Sequence, residues 1–132
     1  NPLHVITSWY INIQDLDCDE WVFIRAHIPE IKREDSHLVH CSKYWYYWNL
    51  KAEALCEWRY RIEDIDELPI EFESRLGVRI DRDILNWIPR NVNTRNPTDK
   101  KITWKDLEQE LSCELFFDLQ DMAKRYGYTT SD

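Results

Sequence analysis

Four groups of residues combine types and spacings that could do chemistry. Ser8 lies one helical turn after His4, on the same side of a helical pattern that opens at Asn1-Pro2. The start of a helix presents unbonded N–H groups and a positive partial charge, so a hydroxyl near it can help to hold an anion. A second group is the stretch from Pro89 to Lys101, where Arg90, Arg95, Lys100 and Lys101 stand against one acid, Asp99. Arg95 and Lys101 are its candidates for closing over a phosphate. Glu63 and Asp64 are adjacent carboxylates, read as the end of a strand rather than as an acid–base pair. His37, His40 and Cys41 could offer ligands from one helical turn. No second ligand pair stands at a recognisable spacing, so no metal is expected there.

The chain has only two glycines, Gly77 and Gly127. A loop that cradles a phosphate with its backbone needs close approaches that glycine allows best. A glycine-rich phosphate cradle cannot be built from these residues.

Composition narrows the classes further. At 132 residues, one domain is the expectation. The 43% hydrophobic share, with seven Trp and seven Tyr, is ample for a packed core and argues against disorder. With 17 basic and 25 acidic residues the net charge is −8, a poor match to the phosphate backbone of nucleic acid. No apolar run reaches the roughly 20 residues that cross a bilayer, and no signal-peptide pattern opens the chain. Cys18, Cys41, Cys56 and Cys113 are far apart and form no CxxC pair. They read as buried, reduced thiols of a cytoplasmic protein.

Hydrophobic spacing supplies the elements that would position these groups. Asn1 caps and Pro2 opens a helix running to about Ile13, with Leu3, Ile6, Trp9, Tyr10 and Ile13 on its apolar side. A shorter helix covers Asp19 to Ala26, and a charged connector follows from Pro29 to Asp35. From His37 to about Glu57, Leu38, Cys41, Trp45, Trp48, Ala52 and Leu55 recur every three or four residues as one buried stripe. The aromatic run from Tyr44 to Trp48 is read as packing. Trp58, Tyr60 and Ile62 alternate with charged residues, the period of a strand over Trp58 to Glu63. Asp66 is placed to cap a helix bearing Leu68, Phe72 and Leu76, which Gly77 stops. Another short helix spans Arg82 to Trp87. Thr103 and Asp106 form a capping box for one last helix, with Trp104, Leu107, Leu111, Leu115, Leu119, Met122 and Tyr126 inward. The fold class is mostly α with one or few short strands.

Three stretches, in this order, resemble sulfotransferases that use 3′-phosphoadenosine-5′-phosphosulfate. The first is Asn1-Pro2-Leu3-His4-Val5-Ile6-Thr7-Ser8-Trp9. The second is Arg59-Tyr60-Arg61-Ile62-Glu63-Asp64-Ile65 followed by Arg75-Leu76-Gly77-Val78, with Trp45 and Asn49 where many bacterial relatives carry a Trp and an Asn. The third is Ile102-Thr103-Trp104-Lys105-Asp106-Leu107 followed by Tyr126-Gly127-Tyr128.

The resemblance implies the C-terminal portion of an α/β P-loop-type sulfotransferase domain. In that family an arginine just before the first motif and the serine ending it hold the cofactor's 3′-phosphate. Ser8 matches the serine, and the arginine would stand just before Asn1. A basic segment near Arg95 and Lys101 supplies a second contact. The loop for the 5′-phosphosulfate and the general base both lie upstream in the family, so the chain by itself is expected to be inactive. Ile62 departs from the aromatic residue that contacts adenine in cytosolic relatives. The implied partners are the nucleotide co-substrate and an acceptor hydroxyl or amine, with no nucleic acid and no membrane. The other reading is a small acidic helical module for protein interaction, possible as a homo-oligomer through exposed apolar surface.

Overall fold

The computed structural model describes residues 1–64, 67–81, 83, 87 and 101–131. The chain divides into two compact units, Asn1–Glu57 with Lys100–Asp132, and Trp58–Asp99. Six helices are considered below: α1 (Pro2–Asn12), α2 (Asp19–His27), α3 (His37–Leu55), α4 (Leu68–Leu76), α5 (Trp104–Glu110) and α6 (Cys113–Arg125). The described residues are mostly helical and include no strand.

In the larger unit, α1 begins where its sequence directs. The Asn1 side chain accepts the N–H of Leu3 at 3.0 Å, and Pro2 occupies the first turn. Ile6 is fully buried, with Leu3, Trp9, Tyr10 and Ile13 packed half-buried around the core. Removing a side chain such as Ile6 from water stabilises the fold by about 1.5–3 kcal/mol. α3 is the central helix and packs on α1, α5 and α6. Ser36 caps it by accepting the N–H of Val39.

The connectors around α2 are pinned by charge. Arg25 donates to the Leu16 carbonyl at 2.7 Å, and Arg33 pairs with Asp17 at 2.8 Å. Lys43 meets Asp35 at 2.6 Å, with each side chain less than one fifth exposed. The same ammonium donates to the Glu30 carbonyl, and the same carboxylate accepts the Lys32 N–H. The charged connector expected from Pro29 to Asp35 is thus tied down at both ends.

Two expectations in this unit are corrected. The stripe along α3 is buried only through its first half. Cys41 and Trp45 are in the core, whereas Trp48 is 39% exposed and Leu55 is 86% exposed. The packing partners of α3 reach the first half, so periodicity continues past the surface that buries it. The last helix is also broken. Leu111 and Ser112 adopt extended ψ values of 155° and 149°, and Ser112 accepts the N–H of Leu115, starting a new helix. A serine offers the backbone such a bond, which competes with helix continuation. The break lets Phe116 join the core against Trp104, with ring centroids 6.3 Å apart. The capping box at Thr103 and Asp106 forms as expected.

The smaller unit overturns the strand. Among the described residues no strand forms over Trp58 to Glu63, and Ile62–Asp64 forms a 3₁₀ turn closed by a two-pronged Arg61–Asp64 pair at 2.7 and 2.9 Å. The alternation still has a use. Trp58 and Tyr60 both pack on Phe72 of α4, at 5.0 and 5.7 Å. Trp58 also donates to Glu71 at 2.6 Å and lies under the Arg75 guanidinium at 5.0 Å. A ladder requires a second extended segment to share its hydrogen bonds, and here a helix serves as the packing partner instead. Gly77 ends α4 at φ 65°, a left-handed position suited to glycine. The Asp66 cap, the Arg82 to Trp87 helix and Arg95 lie wholly or mostly outside the described residues.

Candidate functional site

Of the residues singled out for anion chemistry, His4 and Ser8 lie on α1. Its first turn contains no acidic residue, so no carboxylate of its own offsets the positive partial charge of the helix start. His4 is exposed and Ser8 is half-buried one turn further along. Asn12 donates its amide to the Ser8 hydroxyl at 3.4 Å. That bond occupies a lone pair of Ser8 and leaves the hydroxyl proton to be donated.

Thr7 determines what stands next to this group. Its side chain is turned into the protein, 3% exposed. The Thr7 hydroxyl accepts the backbone N–H of Ile102 at 3.0 Å in a buried bond that joins residues 95 apart in the chain. Ile102 and Trp104 are themselves buried, so the segment entering α5 is fixed alongside α1. Lys101, exposed and one residue before Ile102, is carried there with it. The structure thus brings the chain positions of Ser8 and Lys101 to one region, each adjacent to a member of the Thr7–Ile102 pair. Arg95 cannot be placed in the same way, since it lies outside the described residues.

Sequence reasoning missed Thr7. The signal was present: Thr7 follows Leu3 by four residues and precedes Tyr10 by three, so a polar residue sits on the apolar side of the helix. Such a residue requires a buried partner.

A second cluster lies between α1, α2 and α3. Trp21 is fully buried and is surrounded by Trp9 at 5.3 Å, His40 at 5.3 Å, Tyr44 at 6.2 Å and His37 at 6.5 Å. The His40 Nδ1 lies 3.1 Å from the Ser36 carbonyl. A carbonyl only accepts, so Nδ1 is the donor of this bond. The Nε2 atoms of His37 and His40 are buried without a hydrogen-bond partner. Burial lowers the pKa of His37, opposed by the Ile13 carbonyl, and nearby His40 adds to the lowering. Burial pushes the Cys41 thiol up to about 12, so it stays protonated and unreactive. Among the described residues no three His, Cys, Asp or Glu side chains gather as a metal site.

The expectation of four buried thiols is corrected: all are free, but only Cys41 is buried, Cys18 is half-buried, and Cys56 and Cys113 are exposed. The adjacent carboxylates also separate in role. Asp64 is tied to Arg61, while Glu63 lies on the exposed 3₁₀ turn. In the smaller unit an open cleft of about 550 Å³ is lined by Glu73, Arg79, Ile80, Asp81 and Asp83. Among the described residues of this lining, three carboxylates against one guanidinium suit an anion poorly.

Comparison with protein-family models, with curated proteins and with solved structures finds no match to this chain.

Proposed function

We propose that this chain supplies the 3′-phosphate side of the nucleotide site of a sulfotransferase that uses 3′-phosphoadenosine-5′-phosphosulfate. In this reading Ser8 donates its hydroxyl to the phosphate, with Lys101 and Arg95 adding positive charge. The 5′-phosphosulfate cradle and the base that activates an acceptor hydroxyl or amine come from residues outside these 132. The observation that carries the reading is the Thr7–Ile102 bond, which joins the first sulfotransferase-like motif to the third. Two stretches that resemble one family separately, and meet at a buried contact, support it more than either does alone.

The site lacks a bidentate arginine within the described residues of α1, and charge-assisted contacts of that kind contribute about 1.5–3 kcal/mol. Affinity for adenosine 3′,5′-bisphosphate should therefore be only about millimolar, near −4 kcal/mol. A heteronuclear NMR titration with this nucleotide tests the idea. Shifts should concentrate at Ser8, Trp9 and the amides of 101–103, and Ser8→Ala should weaken binding several-fold. Adenosine 5′-monophosphate, without the 3′-phosphate, should leave those amides unmoved. Equal shifts with both nucleotides, or none with either, would reject the assignment and leave the interaction-module reading.

A further inference from the structure

His37 and His40 stand three residues apart on α3, so their side chains are neighbours on one turn. The Nε2 atom of each is buried and has no hydrogen-bond partner. Burying such an atom unpaired is costly, and two on a single turn call for a common partner. His40 is fully buried, and its other ring nitrogen, Nδ1, lies 3.1 Å from the Ser36 carbonyl. That bond fixes the ring and leaves Nε2 as the atom it can offer, the arrangement found behind histidines that bind metal ions. The His37 ring is held by stacking on Tyr10 at 4.8 Å. Both imidazoles meet the buried Trp21 at steep angles, with centroids 6.5 Å away for His37 and 5.3 Å for His40. His37 is half-buried and gives an ion its way in.

The donors and the wall select the ion. Calcium and magnesium take oxygen ligands, and these donors are nitrogens. A structural zinc ion is held by four ligands at tetrahedral positions, yet among the described residues no third His, Cys, Asp or Glu joins this pair. A cuprous ion is softer and is satisfied by two imidazole nitrogens in line. Its single charge limits the cost of burial, and the face of an indole attracts a cation. The sequence expectation of no metal rested on the lack of a second ligand pair, which a two-coordinate ion does not need.

We propose that His37 and His40 bind one cuprous ion through their Nε2 atoms, beside the ring of Trp21. Any proton on either nitrogen leaves as the metal binds, and no electron is transferred. The site stands independently of the sulfotransferase reading, because Ser8, Arg95 and Lys101 take no part in it.

Cuprous ion buffered by bicinchoninate in the absence of oxygen, titrated into the whole chain, tests this. The exposed Cys56 and Cys113 and the half-buried Cys18 can take the same ion through sulfur, so all three are changed to Ser in every sample. One equivalent should bind, the imidazole nitrogen resonances of both histidines should shift, and tryptophan emission should fall. His37→Gln and His40→Gln should each weaken binding at least about 100-fold. Cys41→Ala should leave binding unchanged, because that thiol is outside the ligand pair. Circular dichroism checks that each variant stays helical, and the resonances of the unaltered histidines give the answer without any variant of the pair. No binding in competition with the chelator overturns the proposal, as does binding that leaves those resonances unmoved. Loss of binding in Cys41→Ala overturns it too, since sulfur then holds the ion. Zinc ion that moves the same resonances as strongly also overturns it, since two nitrogens alone do not hold zinc.

Discussion

The backbone N–H of Ile102 donates to the Thr7 hydroxyl at 3.0 Å, in a buried bond between residues 95 apart in the chain. It fixes the start of the last two helices against the first. Thr7→Val keeps the shape but leaves the Ile102 N–H buried and unpaired, which should cost about 1–3 kcal/mol. Thr7→Ser retains the acceptor and should cost less. Urea denaturation of the two variants gives the comparison; equal losses would show that the methyl group, not the bond, matters.

Trp45 is 5% exposed and packs edge-on to Tyr126 at 6.0 Å, whereas Trp48, three residues along the same helix, is 39% exposed. Trp45→Ala should cost about 3–5 kcal/mol, the range for a buried aromatic. Trp48→Ala should cost less than about half of that, since much of its surface is already in water. Thermal or chemical unfolding that ranks the two variants the other way would contradict this division of the α3 stripe.

Stability should fall on mild acidification. The His37 pKa is depressed mainly by burial, with the Ile13 carbonyl acting against the lowering and His40 adding to it. Tyr10 stacks on its ring and Trp21 stands at its edge, so no carboxylate is found among these contacts. A lowered pKa in the fold means that the unfolded chain binds the proton more readily. The contribution is complete above the unfolded value of about 6.5 and is lost as pH falls below it. Denaturation midpoints measured from pH 8 down to pH 5 should decline, and His37→Gln should flatten the decline. A slope unchanged by that substitution would assign it to other groups.

Thiol labelling should sort the four cysteines by position. Cys56 and Cys113 are exposed and should react with a maleimide first, with Cys18 slower. Cys41 is buried with its pKa pushed up to about 12, so it should react only after unfolding. Mass spectrometry of peptides along the time course reads the order; early labelling of Cys41 would show that the core opens more easily than its packing implies.

The chain alone should not transfer a sulfuryl group. Transfer requires donors preorganised around the phosphosulfate and a base on the acceptor, and two glycines cannot form the backbone cradle. Product formation from any alcohol or amine acceptor above a protein-free control would show that other residues do this work.

Local chemistry was legible in the sequence wherever a few neighbouring residues decide the outcome. Asn1-Pro2 sets the start of α1, the Thr103–Asp106 box sets another helix start, and Gly77 sets a stop. Each depends on bonds within about four residues, so no distant partner is needed to foresee it. The tertiary structure alone decided where periodic patterns are actually used. The alternation of Trp58 and Tyr60 became packing on Phe72, because a strand exists only if another strand accepts its hydrogen bonds. The α3 stripe lost its second half to solvent, and the final stripe bent at Ser112, because burial depends on what lies opposite. The candidate site divides the same way. Ser8 and Lys101 were identifiable as residue types, but their approach rests on a Thr7–Ile102 bond spanning most of the chain. Periodicity reports which side of an element seeks a partner; only the folded chain determines which partner that side meets.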